Sequence, residues 1–401
     1  MTRLVTCLII LLPVEFVVAY VGHKPLSIIP SDGLLAVAFF GTSILVLQGV
    51  RVSTRSVLPR TLAFLFCSYC LLLASFEFLR SNSLTPLVSM AKLIKPFLLF
   101  SILVPYFRMK KEYGIYERTF PIAVTIFIWI LFLNSLFLPR FPFCRWGAQF
   151  LGFDTYGFPN SFMSLVAMVS PMCLISLSGS ARKRWFTWFT YAIAFLLVLM
   201  SLSRSSLVVF LMSGMVFAFL RAKEGNKVSL AFQLVAVGAL FSLAVIMLAG
   251  PFISEITTQM AEMLEVRISK TRGDVSLAGR TDIWKDAVHL ILERPIFGYC
   301  FQPFSSFGTS HDTAHQQYLE ILFKTGGIGL LLYLSVFFSA IRYLKRGLRG
   351  EFGAFYAALI AGIVGISIGS FTQPNLTYSM TGNCLFFLLA LAVTAPRVEP
   401  S

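Results

Sequence analysis

Charged side chains are scarce in this chain of 401 residues: 33 Lys+Arg and 18 Asp+Glu make up 13% of it. Soluble domains carry about a quarter. With 57% hydrophobic residues and a mean hydropathy of +0.80, no single water-surrounded core could hide the Leu, Phe, Val and Ile. A soluble enzyme, a disordered chain and a coiled coil are excluded together, and lipid is the solvent that remains. Cysteine is sparse and odd in number, seven residues mostly inside apolar runs, which excludes a secreted disulfide scaffold. Cys67 and Cys70 form a C-x-x-C in mid-span with no second pair, a poor metal or redox site. Cys144 and Cys300 fall in expected outer loops, where an oxidising compartment would let them pair; the sequence leaves that open. Only four histidines are present. An Asp-x-Asp motif, a phosphate-binding glycine loop and a cytosolic catalytic domain are all missing, which speaks against a nucleotide-sugar donor on the inner side.

What the chain has instead is apolar runs of spanning length. A membrane helix takes about 20 predominantly apolar residues, and twelve stretches qualify: about 4–22, 34–50, 61–78, 85–107, 120–138, 160–178, 185–202, 206–220, 228–250, 317–341, 353–371 and 376–394. The first has no small-residue cleavage site after it and reads as a retained span. The expectation is an all-α polytopic membrane protein, 1–401 as a single integral membrane domain.

The formal charge of +15 would suggest nucleic acid in a soluble protein. Here it resolves into topology. With the N-terminus inside, 19 of the 33 basic residues fall in the short inner loops, every one of which is basic. Both termini are therefore expected in the cytoplasm, and no nucleic-acid partner is implied.

One outer segment, 251–316 between spans nine and ten, is long enough to carry structure of its own. Helical periodicity predicts amphipathic helices over Ile253–Ser269 and over about Thr281–Glu293, the second ended by Pro295. Ile283, Trp284, Ala287, Val288, Ile291 and Leu292 share one side of that second helix. Both are suited to lying at the membrane surface or packing over the bundle.

The residues that could carry chemistry cluster on this outer side. In Thr313-Ala314-His315-Gln316-Gln317-Tyr318, Thr313 and Gln316 have capping-box spacing, which puts His315 in the first turn of the tenth span. A helix start disfavours an imidazolium, so His315 is read as a neutral proton acceptor, or as a hydrogen-bonded interfacial histidine. A zinc reading of His311 and His315 fails for lack of a continuous helix and a third ligand. Arg280 opens the amphipathic helix, where a cation opposes the macrodipole unless an anion is present; with free backbone N–H groups it would seat a phosphate, or it pairs with Asp282 or Asp286. Arg204 sits in a very short turn between two spans. A charge so close to hydrocarbon is a functional-site candidate, though it could simply snorkel. Arg145 beside Trp146 lies in the outer loop 139–159. Lys324 follows Glu320 by four residues, the order of a helical ion pair. Gly326, Gly327 and Gly329, and Gly362, Gly365 and Gly369, form small faces for close helix packing. The short loop near 372–376 offers nothing distinctive; Asn375-Leu376-Thr377 is formally a sequon but sits against a span.

These residues resemble the O-antigen ligase and polymerase superfamily of bacterial membrane glycosyltransferases, nearest to the ligase. The ligase pattern of His, then Asn, Ser or Gln, nine residues, Gly, two residues and Gly, Thr or Tyr is met by His315, Gln316, Gly326 and Gly329, with Tyr318 inside it. Leu202-Ser203-Arg204-Ser205-Ser206 is similar to the family's Ser-Arg turn, and Gly279-Arg280 with Trp284 to its Gly-Arg-x-x-x-Trp helix. Gly157-Phe158-Pro159-Asn160 has the family's look as well, and Lys324 departs from the acidic residue common nearby in relatives. The match covers roughly 140–343.

The resemblance implies a metal-independent, inverting transfer at the periplasmic face of the bacterial inner membrane, with no cofactor. The donor would be an undecaprenyl-pyrophosphate-linked glycan and the acceptor lipid A-core or a growing glycan, with membrane lipid as surroundings. His315 would be the catalytic base or acceptor-positioning group, and Arg204, Arg280 and Arg145 would hold the pyrophosphate. A polymerase of the same superfamily is the nearest alternative. A lipid-linked glycan flippase is another, but it would need charges along a central path rather than on one face.

Overall fold

The computed structural model describes residues 2–11, 16–21, 24–28, 58–110, 113–137, 149–150, 153–154, 159–177, 181–201, 203–221, 278–308, 313–377 and 379–394. Helices dominate: α1 (Thr2–Leu11), α2 (Leu58–Ser81), α3 (Thr85–Lys110), α4 (Tyr113–Phe137), α5 (Pro159–Val169), α6 (Ala181–Met200), α7 (Arg204–Arg221), α8 (Ala278–Glu293), α9 (Gln317–Lys345), α10 (Gly353–Gly369) and α11 (Ser379–Thr394). A 3₁₀ turn, Ser170–Leu177, prolongs α5. By length and composition α2, α3, α4, α7 and α9 can each cross a membrane, and the shorter α5, α6, α10 and α11 are similarly apolar. The chain is a multi-pass membrane protein.

The all-α class expected from the sequence holds, with two small local departures. The expected first span, 4–22, is α1 followed by a strand β1 (Phe16–Val21), which pairs antiparallel with β2 (Lys24–Ile28). Pro13 lacks the N–H that would carry α1 onward, and Val17, Val18, Tyr20 and Val21 favour an extended backbone. A second small hairpin joins β3 (Gln149–Phe150) to β4 (Phe153–Asp154). The expected spans 34–50 and 228–250, and the helix over 253–269, lie outside the described residues.

In lipid, helices associate by close packing rather than by hydrophobic transfer. The Gly362, Gly365 and Gly369 face does what the sequence reading expects: α10 lies against α5 and α7. A Cβ at Gly365 would stand 2.8 Å from the Val209 carbonyl oxygen, and one at Gly362 2.9 Å from that of Met168. Aromatic rings fill the centre, with Phe97 of α3 meeting Phe66 of α2, Tyr333 of α9 and Phe386 of α11 at centroid distances of 4.8, 5.9 and 4.4 Å.

Gly326 has a different task from the packing role expected of it. At φ 65° and ψ −170° it breaks α9 into two halves, a conformation essentially confined to glycine. The break strips backbone groups of their helical partners, and the segment Pro295–Phe301 replaces them. Tyr299 N–H donates to the Phe323 carbonyl (2.7 Å) and Phe301 N–H to that of Lys324 (3.4 Å). In return Gly327 N–H donates to the Pro295 carbonyl (2.7 Å) and Ile328 N–H to that of Ile296 (3.4 Å). The Tyr69 hydroxyl of α2 donates to the Thr325 carbonyl at 3.0 Å. The approach is so tight that a Cβ on Gly326 would fall 2.1 Å from the Ile296 carbonyl oxygen.

Gly326→Ala therefore combines backbone strain with a backbone clash and should destabilise the protein by at least ~2–3 kcal/mol. Gly308 also has positive φ but open space around it, so Gly308→Ala should cost only ~1 kcal/mol. Thermal unfolding in detergent compares the two; equal losses would contradict the mending of α9 by Pro295–Phe301.

Candidate active site

The start of α9 is hydrogen-bonded to α8 on one side and, through the Gly369–Thr377 turn, to the start of α7 on the other; three helix starts bear on the site. The first is that of α7. Ser203 precedes it with its hydroxyl accepting from the Ser206 N–H (3.3 Å) and the Ser206 hydroxyl (2.8 Å); Ser164 of α5 joins this group at 3.0 Å from Ser206. Ser201, Ser203, Ser205 and Ser206 are all buried. Arg204 is the first residue of α7 and the exposed one in the run. The hydroxyls satisfy the helix start, while the one cation among them stands in solvent at its positive end.

The second start is that of α8. Arg280 is its third residue, in the first turn as the sequence reading required. Asp282, one of the partners considered for it, pairs with Lys285 at 3.3 Å. Ile283, Ala287 and Ile291 turn inward and form a small satellite core with Tyr299, Phe304, Ala314 and Phe323. Val288 and Leu292, expected on the same side, are exposed. One turn beyond Arg280, the Trp284 indole N–H donates to the Ala314 carbonyl at 3.1 Å, and Ala314 is the residue before His315. The Gly-Arg-x-x-x-Trp helix and the His-Gln segment are thus physically tied.

The third start is that of α9, and here the expected capping box is displaced. Gln316, with φ −144° and ψ 124°, is the cap itself, its side chain accepting from the Leu319 N–H. Thr313 lies outside the helix, and His315 stands just before the cap rather than in the first turn. His315 is exposed and takes a positive φ of 52°, uncommon for a residue with a Cβ and concentrated at functional sites. The spacing pointed to Gln316 but gave it the wrong role, because a long amide side chain can reach the third N–H from the cap position.

The Gly369–Thr377 turn binds the first and third starts together. Gln317, fully buried, accepts through Oε1 from the Leu376 N–H (3.2 Å), the Thr377 N–H (3.1 Å) and the Thr377 hydroxyl (3.1 Å). Its own N–H donates to the Ser370 carbonyl at 3.2 Å. Asn375, also fully buried, donates through Nδ2 to the Ser205 hydroxyl at 3.2 Å, and that hydroxyl donates to the Gly369 carbonyl at 3.2 Å. The Tyr318 hydroxyl reaches the Ser367 carbonyl of α10 at 2.6 Å. Sequence reasoning found nothing in this turn; the one available signal was a pair of amides, Gln317 and Asn375, beside apolar runs.

Lys324 and Glu320 are paired at 2.6 Å with side chains 13% and 5% exposed. Gly329 packs on the Thr325 side chain and Tyr69. Cys67 and Cys70 are buried free thiols, and Cys300 is a half-buried one. Burial first, then the Glu77 carboxylate, pushes the Cys300 thiol up. Arg145, Cys144 and His311 lie outside the described residues. Among the described residues no cluster of three His, Cys, Asp or Glu could hold a metal ion; the site's polar groups are guanidinium, imidazole, hydroxyl and amide.

Comparison with known proteins falls on the same segment. Residues 189–334 match the O-antigen ligase family. The resemblance carried by Ser203-Arg204, Arg280-x-x-x-Trp284 and His315-Gln316 holds over that stretch, which contains all three helix starts. An uncharacterized protein of Haemophilus influenzae is 26% identical over 135 residues, covering 30% of this chain and 34% of the relative. The chain thus spans about a third of that relative's length.

Removing Glu320 alone leaves the half-buried Lys324 ammonium without its partner, so Glu320→Gln should cost about 2–3 kcal/mol, below the penalty of a fully buried pair. The double variant Glu320→Gln/Lys324→Met should recover most of that loss in the same melt. Additive losses would mean that the pair is not coupled.

Proposed function

We propose that this chain is an O-antigen ligase-type membrane glycosyltransferase, moving an undecaprenyl-pyrophosphate-linked polysaccharide to lipid A-core without a metal and with inversion. The reading carries the twelve-span topology with it: both termini in the cytoplasm, and 251–316 with the three helix starts facing the periplasm of the bacterial inner membrane. The basic inner loops support that sidedness.

The observation that supports the reading is that the His315 segment is hydrogen-bonded on one side to α8, which carries Arg280, and on the other, through the Gly369–Thr377 turn, to the α7 start that carries Arg204, all of it beside or inside the family-matching region. Cations at helix starts are unfavourable unless an anion sits there, and a lipid diphosphate at the membrane surface is such an anion. As the acceptor hydroxyl attacks the anomeric carbon, its proton passes to His315 while the bond from that carbon to the diphosphate oxygen breaks. The departing charge falls to Arg204 and Arg280, with Arg145 as a further ligand, and guanidinium groups in a water-poor site stabilise it strongly. A polymerase of the same superfamily would use the same donor; the His315-Gln316 pattern favours the ligase.

His315→Ala should lower transfer about 10²–10⁴-fold, and Arg280→Ala should abolish polysaccharide attached to lipid A-core on gels of extracted lipopolysaccharide. Normal ligation in either would remove that residue from the chemistry. Deleting the gene should leave long chains accumulating on the carrier. Single repeat units on the product would instead identify a polymerase.

A further inference from the structure

We propose that Gln317 and Asn375 are positioning residues, a buried amide clamp that holds the Arg204 and His315 ends in register for transfer. This rests on the functional reading just given. Arg204 begins α7 and His315 precedes α9, elements remote in sequence with no covalent reason to keep a fixed separation. The short Gly369–Thr377 turn bonds to both. Asn375 grips the hydroxyl of Ser205, the neighbour of Arg204; Gln317, two residues after His315, grips Leu376 and Thr377.

Both amides are fully buried, and burying a polar group is costly unless its geometry is used. Two unbranched apolar residues would fill the same volume without that cost, so the hydrogen bonds specify a geometry rather than merely fill space. The bonds at Gln317 are one-sided. Three donors converge on Oε1 while Nε2 has no partner among the described residues. A carboxylate supplies the same acceptor, so Gln317→Glu should keep the clamp and Gln317→Leu should break it. Simple space-filling would rank the two variants the other way.

The experiment uses the full chain in nanodiscs. Donor binding is followed with undecaprenyl diphosphate, transfer with a carrier-linked glycan and lipid A-core, and separation by spin labels at Arg204→Cys and His315→Cys with exposed native cysteines replaced. Gln317→Leu should still bind undecaprenyl diphosphate, weakened no further than by Arg204→Gln, yet lose turnover about 10²-fold, the scale of a reactive group misplaced by about 1 Å. Its label-to-label distribution should broaden. Gln317→Glu should restore both turnover and the narrow distribution, and Asn375→Leu should behave like Gln317→Leu.

Unchanged turnover in a folded Gln317→Leu, or a folded Gln317→Glu as inactive as it, would overturn the clamp. Should Gln317→Leu fail to fold, Thr377→Val removes one donor in equal volume. A broadened distribution and reduced turnover there would support the clamp, and no change in either would overturn it. If the unmodified protein neither bound the diphosphate nor transferred glycan, the functional reading would fall instead, and the label distances alone would decide the clamp.

Discussion

In an apolar surrounding each backbone N–H and C=O must find a partner within the protein, and α9 forfeits several of its own at Gly326. Their replacement by Pro295–Phe301 is the constraint on which the site depends. That segment follows directly from α8, so mending α9 also fixes where α8 lies. Once α8 is held, Trp284 meets Ala314 and the His315 segment is anchored from one side. From the other side, Gln317 and the Gly369–Thr377 turn anchor it to α7. The broken helix is therefore less a defect than the joint from which the Arg280 and His315 segments are both hung.

The electrostatics of this end follow from the same geometry. At the start of α7 the Ser201 and Ser203 hydroxyls accept from the Ser203 and Ser206 N–H groups as neutral caps, and Arg204 adds a cation there instead of an acid. Arg280 does the same in the first turn of α8. A lone helix start is a weak attraction; on the proposed reading, two that carry arginine, each tied to the His315 segment, would together seat a diphosphate. Deeper in α9, Glu320 neutralises the half-buried Lys324 ammonium at 2.6 Å, so that cation is already paired.

How much of this the sequence carried depends on the physical range of each signal. Long apolar runs predicted α2, α3, α4, α7 and α9 closely, because spanning length is a local property. The run 4–22 misled, because hydropathy does not distinguish a helix from the extended chain that Pro13 and the neighbouring β-branched residues favour. Arg204, Arg280 and His315 stood out because charge beside hydrocarbon is anomalous wherever it occurs. The cap of α9 was misassigned by three residues because Gln316 can serve either end of a capping interaction. Gln317, Asn375 and the mending of Gly326 were illegible for one reason: each bonds to a partner tens of residues away, and only the fold brings those partners together.

The central claim is that the starts of α7 and α8 together hold a lipid diphosphate, and binding of undecaprenyl diphosphate to the full chain in nanodiscs tests it most directly. The diphosphate should bind well above uncharged undecaprenol, and Arg204→Gln or Arg280→Gln should each weaken it by about tenfold or more, as loss of a charge-assisted hydrogen bond does. Equal binding of the diphosphate and the alcohol, indifferent to both substitutions, would contradict it.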